Sequence, residues 1–94
     1  MRVKFSKQAI GFLEKCPSKQ KERVRSKINF LVSALEKHGI IPFRELDIRK
    51  MSGSWEGFFR MRSGKTRVVF RIDKKNDILW IYLIDSRGDI YKKR

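Results

Sequence analysis

Between positions 60 and 71 the chain carries five basic residues, Arg60, Arg62, Lys65, Arg67 and Arg71, and no acidic one. They alternate with Phe59, Met61, Val68, Phe70 and Ile72. A period of two is that of a β-hairpin, which would send the apolar set to a core and Arg60, Arg62, Lys65 and Arg67 to the opposite face, with Arg71 one step further along. A two-residue loop at Ser63-Gly64 would set Arg60 directly opposite Arg67. Like charges facing each other across a sheet cost a few tenths to about 1 kcal/mol, a cost that a bound phosphate would remove. Further on, Asp85-Ser86-Arg87-Gly88-Asp89-Ile90-Tyr91 adds a guanidinium and a phenol. Arginine grips phosphate oxygens bidentately and tyrosine stacks on unpaired bases, so the chemistry within reach is recognition of a phosphodiester and stabilisation of charge on it. The same side chains also fit a solvated sheet face, with Arg87 paired to Asp85 or Asp89 and Tyr91 closing the edge of the core.

The composition narrows the choice. Lys plus Arg number 24 against 10 Asp plus Glu, a net charge of +14. Such a field attracts phosphate polymers through counterion release, and it attracts an acidic protein equally well. There is one cysteine, Cys16, and one histidine, His38. An internal disulfide, a zinc site and the Ser/His/Asp, Cys/His and paired-histidine mechanisms are therefore excluded. No metal and no cofactor is expected. Any catalysis must use Arg, Lys, Tyr and a few carboxylates, with His38 a cation at a helix end and Cys16 a small core residue.

The elements that must position these residues follow from the pattern. Val3-Lys4-Phe5 reads as a first strand. Ser6 caps a helix carrying Ala9, Phe12 and Leu13, which Pro17 ends. Ser18 is expected to cap a second helix, whose stripe of Val24, Ile28, Leu31 and Leu35 faces the core and whose Gly39 provides a left-handed C-cap. Its other face, Lys19, Lys21, Arg23, Arg25 and Lys27, reads as solvated, with contact to nucleic acid or the ribosome as the second possibility. Residues 40–54 read as a loop. Three meander strands follow, 57–63, 65–73 and 78–84, with turns at Ser63-Gly64 and Lys74-Lys75-Asn76. The continuously apolar run from Ile78 to Ile84 predicts a strand covered on both faces, and Trp55, Phe58 and Trp80 read as core or helix-packing residues. The fold class is α+β: an N-terminal strand and helical hairpin on a twisted, mainly antiparallel meander sheet, in one domain, 1–94. The apolar run is far shorter than the ~20 residues of a membrane helix. With no signal-peptide pattern at the N-terminus, the expectation is a soluble cytoplasmic protein with no membrane partner.

The run from Met51 to Ile72, with its R-x-R-x-G-x-x-R-V-x-F-x-I hairpin, and the tail Arg87-Gly88-Asp89-Ile90-Tyr91 resemble the RelE/ParE toxin superfamily. The resemblance implies the toxin of a toxin–antitoxin pair with an acidic RelB-like antitoxin. In the RelE branch it implies an endoribonuclease that enters the ribosomal A site and cuts mRNA by metal-free attack of a ribose 2′-OH on the adjacent phosphorus. Arg67 then matches the hairpin arginine that stabilises charge on phosphate, Arg87 the tail arginine at the leaving 5′-oxygen, and Tyr91 the tail tyrosine that stacks on or orients the nucleotide. Arg60, Arg62, Lys65 and Arg71 would bind RNA phosphates. Arg60 and Phe58 stand where known RelE toxins have lysines, and Ser86 where some relatives have histidine. A guanidinium is a poor proton acceptor, so the general base is left to Tyr91 or the ribosome. The other implied branch is a ParE-like toxin that binds DNA gyrase and cuts nothing.

Overall fold

The computed structural model describes residues 1–86. The order of elements is β1 (Arg2–Phe5), α1 (Lys7–Lys15), α2 (Ser18–His38), β2 (Ile48–Lys50), a 3-10 turn (Gly53–Trp55), β3 (Phe59–Ser63), β4 (Thr66–Asp73) and β5 (Ile78–Ser86). The five strands form one sheet in the order β1-β5-β4-β3-β2. β2 to β5 pair as an antiparallel meander, and β1 lies parallel to β5 at the far edge. This is the expected α+β architecture with one strand added.

The helices begin and end for local reasons. Ser6 Oγ accepts the Ala9 backbone N–H at 3.1 Å, which caps α1. Ser18 does not cap α2: Pro17 occupies that position without a side-chain bond, and Ser18 is the first helical residue. Proline fixes its own φ at a value suited to the start of a helix, so a hydroxyl cap is dispensable there. Gly39 ends α2 at φ 66°, a left-handed conformation that favours glycine.

Both helices cover the same face of the sheet. Ala9, Val24, Ile28 and Leu31 pack there against Met61, Val68, Phe70, Leu79, Ile81 and Ile84. Each fully buried large aliphatic side chain contributes about 1.5–3 kcal/mol. The segment expected to be a loop supplies Leu46 and Ile48 to this core, and Ile48–Lys50 pairs with β3 as β2. Three residues are too few to show a period. The 63–66 turn also differs from expectation: Ser63 faces Thr66, Arg62 faces Arg67, and Gly64-Lys65 form the loop, with Gly64 at φ 63°. That register lies two residues from the expected one, an even shift, so the strand side chains keep their predicted faces, while Lys65, expected on the open face, falls in the loop.

β5 departs from expectation more instructively. The helices cover only one of its faces. Val69 faces Leu83 but Phe70 faces Ile81, which leaves Tyr82 as an extra residue. This bulge lets Ile81 and Ile84, three apart, both enter the core while Tyr82 and Leu83 turn to the open face. The free edge of β5 beyond β1 is held by α1. Ser6 N donates to the Ile81 carbonyl at 2.9 Å and Ser6 Oγ to the Tyr82 carbonyl at 2.6 Å. Gln8 then mimics a peptide group: its Nε2 donates to the Ile84 carbonyl at 2.6 Å, and its Oε1 accepts the Ile84 N–H at 2.9 Å.

Replacing Gln8 by Ala removes both bonds and is expected to lower unfolding free energy by about 1–2 kcal/mol in urea titration. An unchanged midpoint would show that water replaces the clamp without cost.

Candidate functional site

The open face of the sheet collects the arginines. Strand alternation sends Arg49 out from β2, Arg60 and Arg62 from β3, and Arg67 and Arg71 from β4, because Ile48, Met61, Val68 and Phe70 point the other way into the core. Cross-strand partners are Arg49 with Arg60 and Arg62 with Arg67. Sequence reasoning placed Arg60 opposite Arg67. The two-residue register change moves Arg62 there instead and sets Arg60 between Arg49 and Val69. Arg49 was missed because its strand was read as loop. Its basic type two residues after a segment rich in charge gave no signal of pairing.

The charges strain one another. Burial, followed by repulsion from Arg62, Arg49 and Arg67, holds the Arg60 guanidinium below its usual pKa, while Asp47 acts in the other direction. The group remains a cation near neutral pH. Its Nε is buried and finds no hydrogen-bond partner among the described residues, and the same holds for Arg71 Nε. A buried donor left unpaired is costly, and an anion drawn to this face would meet donors already desolvated.

Arg67 differs from its neighbours. It forms a bidentate ion pair with Asp85, its cross-strand partner on β5: Nε to Oδ1 is 3.2 Å and Nη2 to Oδ2 is 3.0 Å. The carboxylate fixes the plane of the guanidinium and leaves one terminal nitrogen free of that pair. Asp85 was foreseen as a partner for Arg87 rather than Arg67. Arg87 and Tyr91 lie outside the described residues. The strand that leads to them ends with Ser86 opposite Thr66, beside Arg67. Lys65 sits exposed in the hairpin loop, apart from the guanidinium cluster.

Beyond Arg67 the open face becomes aromatic. Phe58 and Tyr82 meet edge to face at 4.9 Å, Trp55 meets Phe58 at 5.0 Å, and Trp80 lies 5.9 Å from Tyr82. Arg71 sits over both Phe58 and Tyr82, at 6.0 and 5.8 Å from their ring centroids, and Lys4 lies 5.5 Å from that of Trp80. Trp55, Phe58 and Trp80 are not the core or helix-packing residues expected. Trp80 lies between the buried Leu79 and Ile81 on β5, so it must face away from the helices.

Among the described residues no group of three or more His, Cys, Asp or Glu side chains converges as a metal site would require, and no helix is long and apolar enough to cross a membrane. The face can bind an extended polyanion, through cations at one end and flat rings at the other.

Comparison with known proteins gives a consistent picture. The family described as the ParE toxin of the type II toxin–antitoxin system parDE matches residues 3–91. A sequence comparison with curated proteins returns no match. Among solved structures, the chain superimposes on one from the archaeal RelE–RelB complex of Pyrococcus horikoshii OT3 with a TM-score of 0.71 and 27% identity, covering 93% of this chain and 94% of that one. A chain of the RelB–RelE complex of Methanococcus jannaschii gives 0.69 at 21% identity, with 98% and 99% covered. The isolated E. coli RelE toxin gives 0.66 at 17%, with 98% and 92% covered.

The crowding at Arg60 has a measurable consequence. Arg60→Met keeps the aliphatic stem and deletes the charge, so at low ionic strength it should raise stability by about 0.5–1 kcal/mol, a gain that shrinks as salt screens the cluster. Loss of stability at low salt would show that Arg60 is held by favourable contacts instead.

Proposed function

The chain belongs to the ParE toxin family of type II toxin–antitoxin systems, within the RelE/ParE superfamily, and from that premise we propose that it is a ribosome-dependent endoribonuclease of the RelE kind. The observation that carries the proposal is the guanidinium cluster on the open sheet face, set beside the strand end that leads into Arg87 and Tyr91. The five arginines of this face, with two like-charged cross-strand pairs among them, carry a local cost that bound phosphates would relieve.

In this reading mRNA lies across the open face in the ribosomal A site. Arg49, Arg60 and Arg62 hold its phosphates, with Lys65 and Arg71 on the flanks. The ribose 2′-OH attacks the adjacent phosphorus, a 2′,3′-cyclic phosphate forms, and the P–O5′ bond breaks. Arg67 stabilises the charge that accumulates on the nonbridging oxygens, and its pairing with Asp85 aims the guanidinium before substrate arrives. Arg87 stabilises or protonates the departing 5′-oxygen, and Tyr91 stacks on the nucleotide. The proton leaving the 2′-OH goes to a group of the ribosome or to Tyr91 in its phenolate form. None of these steps calls for a metal or cofactor.

The partners follow from the same premise. The two archaeal relatives were solved as complexes of RelE with RelB. For this chain the proposed antitoxin is an acidic RelB-like protein. On the helical side, an apolar cleft of about 400 Å³ between β1, α1 and α2, lined by Val3, Phe5, Ile10 and Leu13 and flanked by Lys21, Arg25 and Glu14, suits an amphipathic segment whose acidic residues meet the two cations. The whole chain, 1–94, acts as a single toxin domain in the cytoplasm.

Primer extension on mRNA in translating ribosomes tests the proposal. Wild type is expected to cleave within the A-site codon, and Arg67→Ala and Arg87→Ala each to lose about 100-fold or more of that activity. Intact mRNA together with inhibited supercoiling by DNA gyrase would assign the chain to the gyrase-binding branch that the resemblance also implies.

A further inference from the structure

The aromatic half of the open face has no part in the chemistry just described, and the fold goes to some length to put it there. The β5 bulge turns Tyr82 outward where strict alternation would not accommodate it together with Ile81 and Ile84 in the core. Trp80 and Tyr82 on β5, Phe58 at the entrance to β3 and Trp55 on the 3-10 turn form a continuous row of rings 4.9–5.9 Å apart from centroid to centroid. Trp55 is 38% exposed and the other three are half-buried, so the row is reachable from solvent. Burial of apolar area alone does not explain it, since among the described residues no helix covers this face and a polar surface would serve a merely structural sheet equally well.

We propose that this row is a stacking platform for single-stranded RNA, on which unpaired bases next to the cleaved phosphate are held. The inference rests on the ribonuclease reading for its polymer and adds to it a second binding element with different physics. The occupant is argued from charge and shape together. Arg71 lies over Phe58 and Tyr82, and Lys4 over Trp80, so cations already sit on the ring faces. Arginine planes and aromatic rings are surfaces on which proteins stack bases, and Arg71, whose Nε has no hydrogen-bond partner among the described residues, brings a guanidinium to the ring row. Arg71 is also two positions along β4 from Val69, which faces Arg60 across the β3–β4 ladder. The platform therefore continues the guanidinium cluster along the same sheet face, as one strand of a polymer requires.

Binding of a 2′-O-methyl oligoribonucleotide tests this, because that probe resists cleavage and needs no ribosome. Its affinity is read by fluorescence anisotropy over a series of salt concentrations. Trp80→Leu/Tyr82→Leu keeps apolar volume and removes two π-faces, and Tyr82→Phe keeps the face without the hydroxyl. The double variant should bind about tenfold or more weakly with an unchanged slope of log Kd against log salt, since its phosphate contacts remain, while Tyr82→Phe stays near wild type. Circular dichroism checks that each variant is folded, and Trp55→Leu, on a surface turn, gives a second reading of the same row. An affinity within twofold of wild type in the folded variants overturns the proposal. So does a flattened salt slope, an absence of binding by wild type, or an acidic peptide that binds as tightly and loses as much in the double variant. RNA binding that follows the prediction without A-site cleavage would instead leave the platform standing and remove the nuclease reading.

Discussion

β5 is hydrogen-bonded along both edges, and the rest of the molecule is arranged around that fact. One edge takes β4 over its whole length, and the other takes β1 and then the side chains of Ser6 and Gln8 where β1 runs out. A parallel partner can reach β5 only through a crossover, so α1 and α2 are obliged to lie on one face of the sheet, where they make the core. The Gln8 clamp extends this support to Ile84, two residues from the strand end. Asp85 is thereby presented to Arg67 on a rigid ladder, and the route to Arg87 starts from a fixed point.

The helices cover one face, and among the described residues the other carries cations and rings. Arg49 opposite Arg60 and Arg62 opposite Arg67 are pairings that stability alone disfavours. Sites that bind strongly charged ligands commonly hold unfavourable charge in the free state, and ligand binding relieves it. Among the described residues of this cluster, Arg67 is distinguished by a carboxylate partner. That partner orients the guanidinium and leaves the cluster with a surplus of positive charge. The N-terminal ammonium of Met1, paired with Glu36 at 2.7 Å and Asp77 at 3.3 Å, ties α2 to the β4–β5 turn on the remote edge, where acidic residues do ordinary structural work.

Much of this was legible in the residues. The strand, the two helices, the Gly39 cap and the three meander strands follow from period and capping, and the hairpin arginines were assigned to the open face. They kept that face although the turn was misplaced, because Gly64 at positive φ moved the register by an even number of residues. What escaped depends on tertiary pairing. β2 has three residues and borrows its order from β3, so Arg49 could not be foreseen. The bulge at Tyr82 has no marker such as glycine, and without it the apolar run of β5 looks buried on both sides. Trp55, Phe58 and Trp80 were read as core or helix-packing residues. The ion pair of Arg67 with Asp85 needs the β4–β5 register, which no local signal fixes. Arg87 and Tyr91 lie outside the described residues, so their place beside Arg67 is part of the proposal.

The central claim is that the open sheet face, rather than the basic face of α2, receives the nucleic acid. The most direct measurement is an NMR titration of the arginine Nε–H resonances with a noncleavable 2′-O-methyl codon trinucleotide. The account predicts that Arg60, Arg62, Arg67 and Arg71 shift and broaden together, while Arg23 and Arg25 on α2 stay where they are. Movement of the α2 arginines with the sheet arginines unchanged would contradict it.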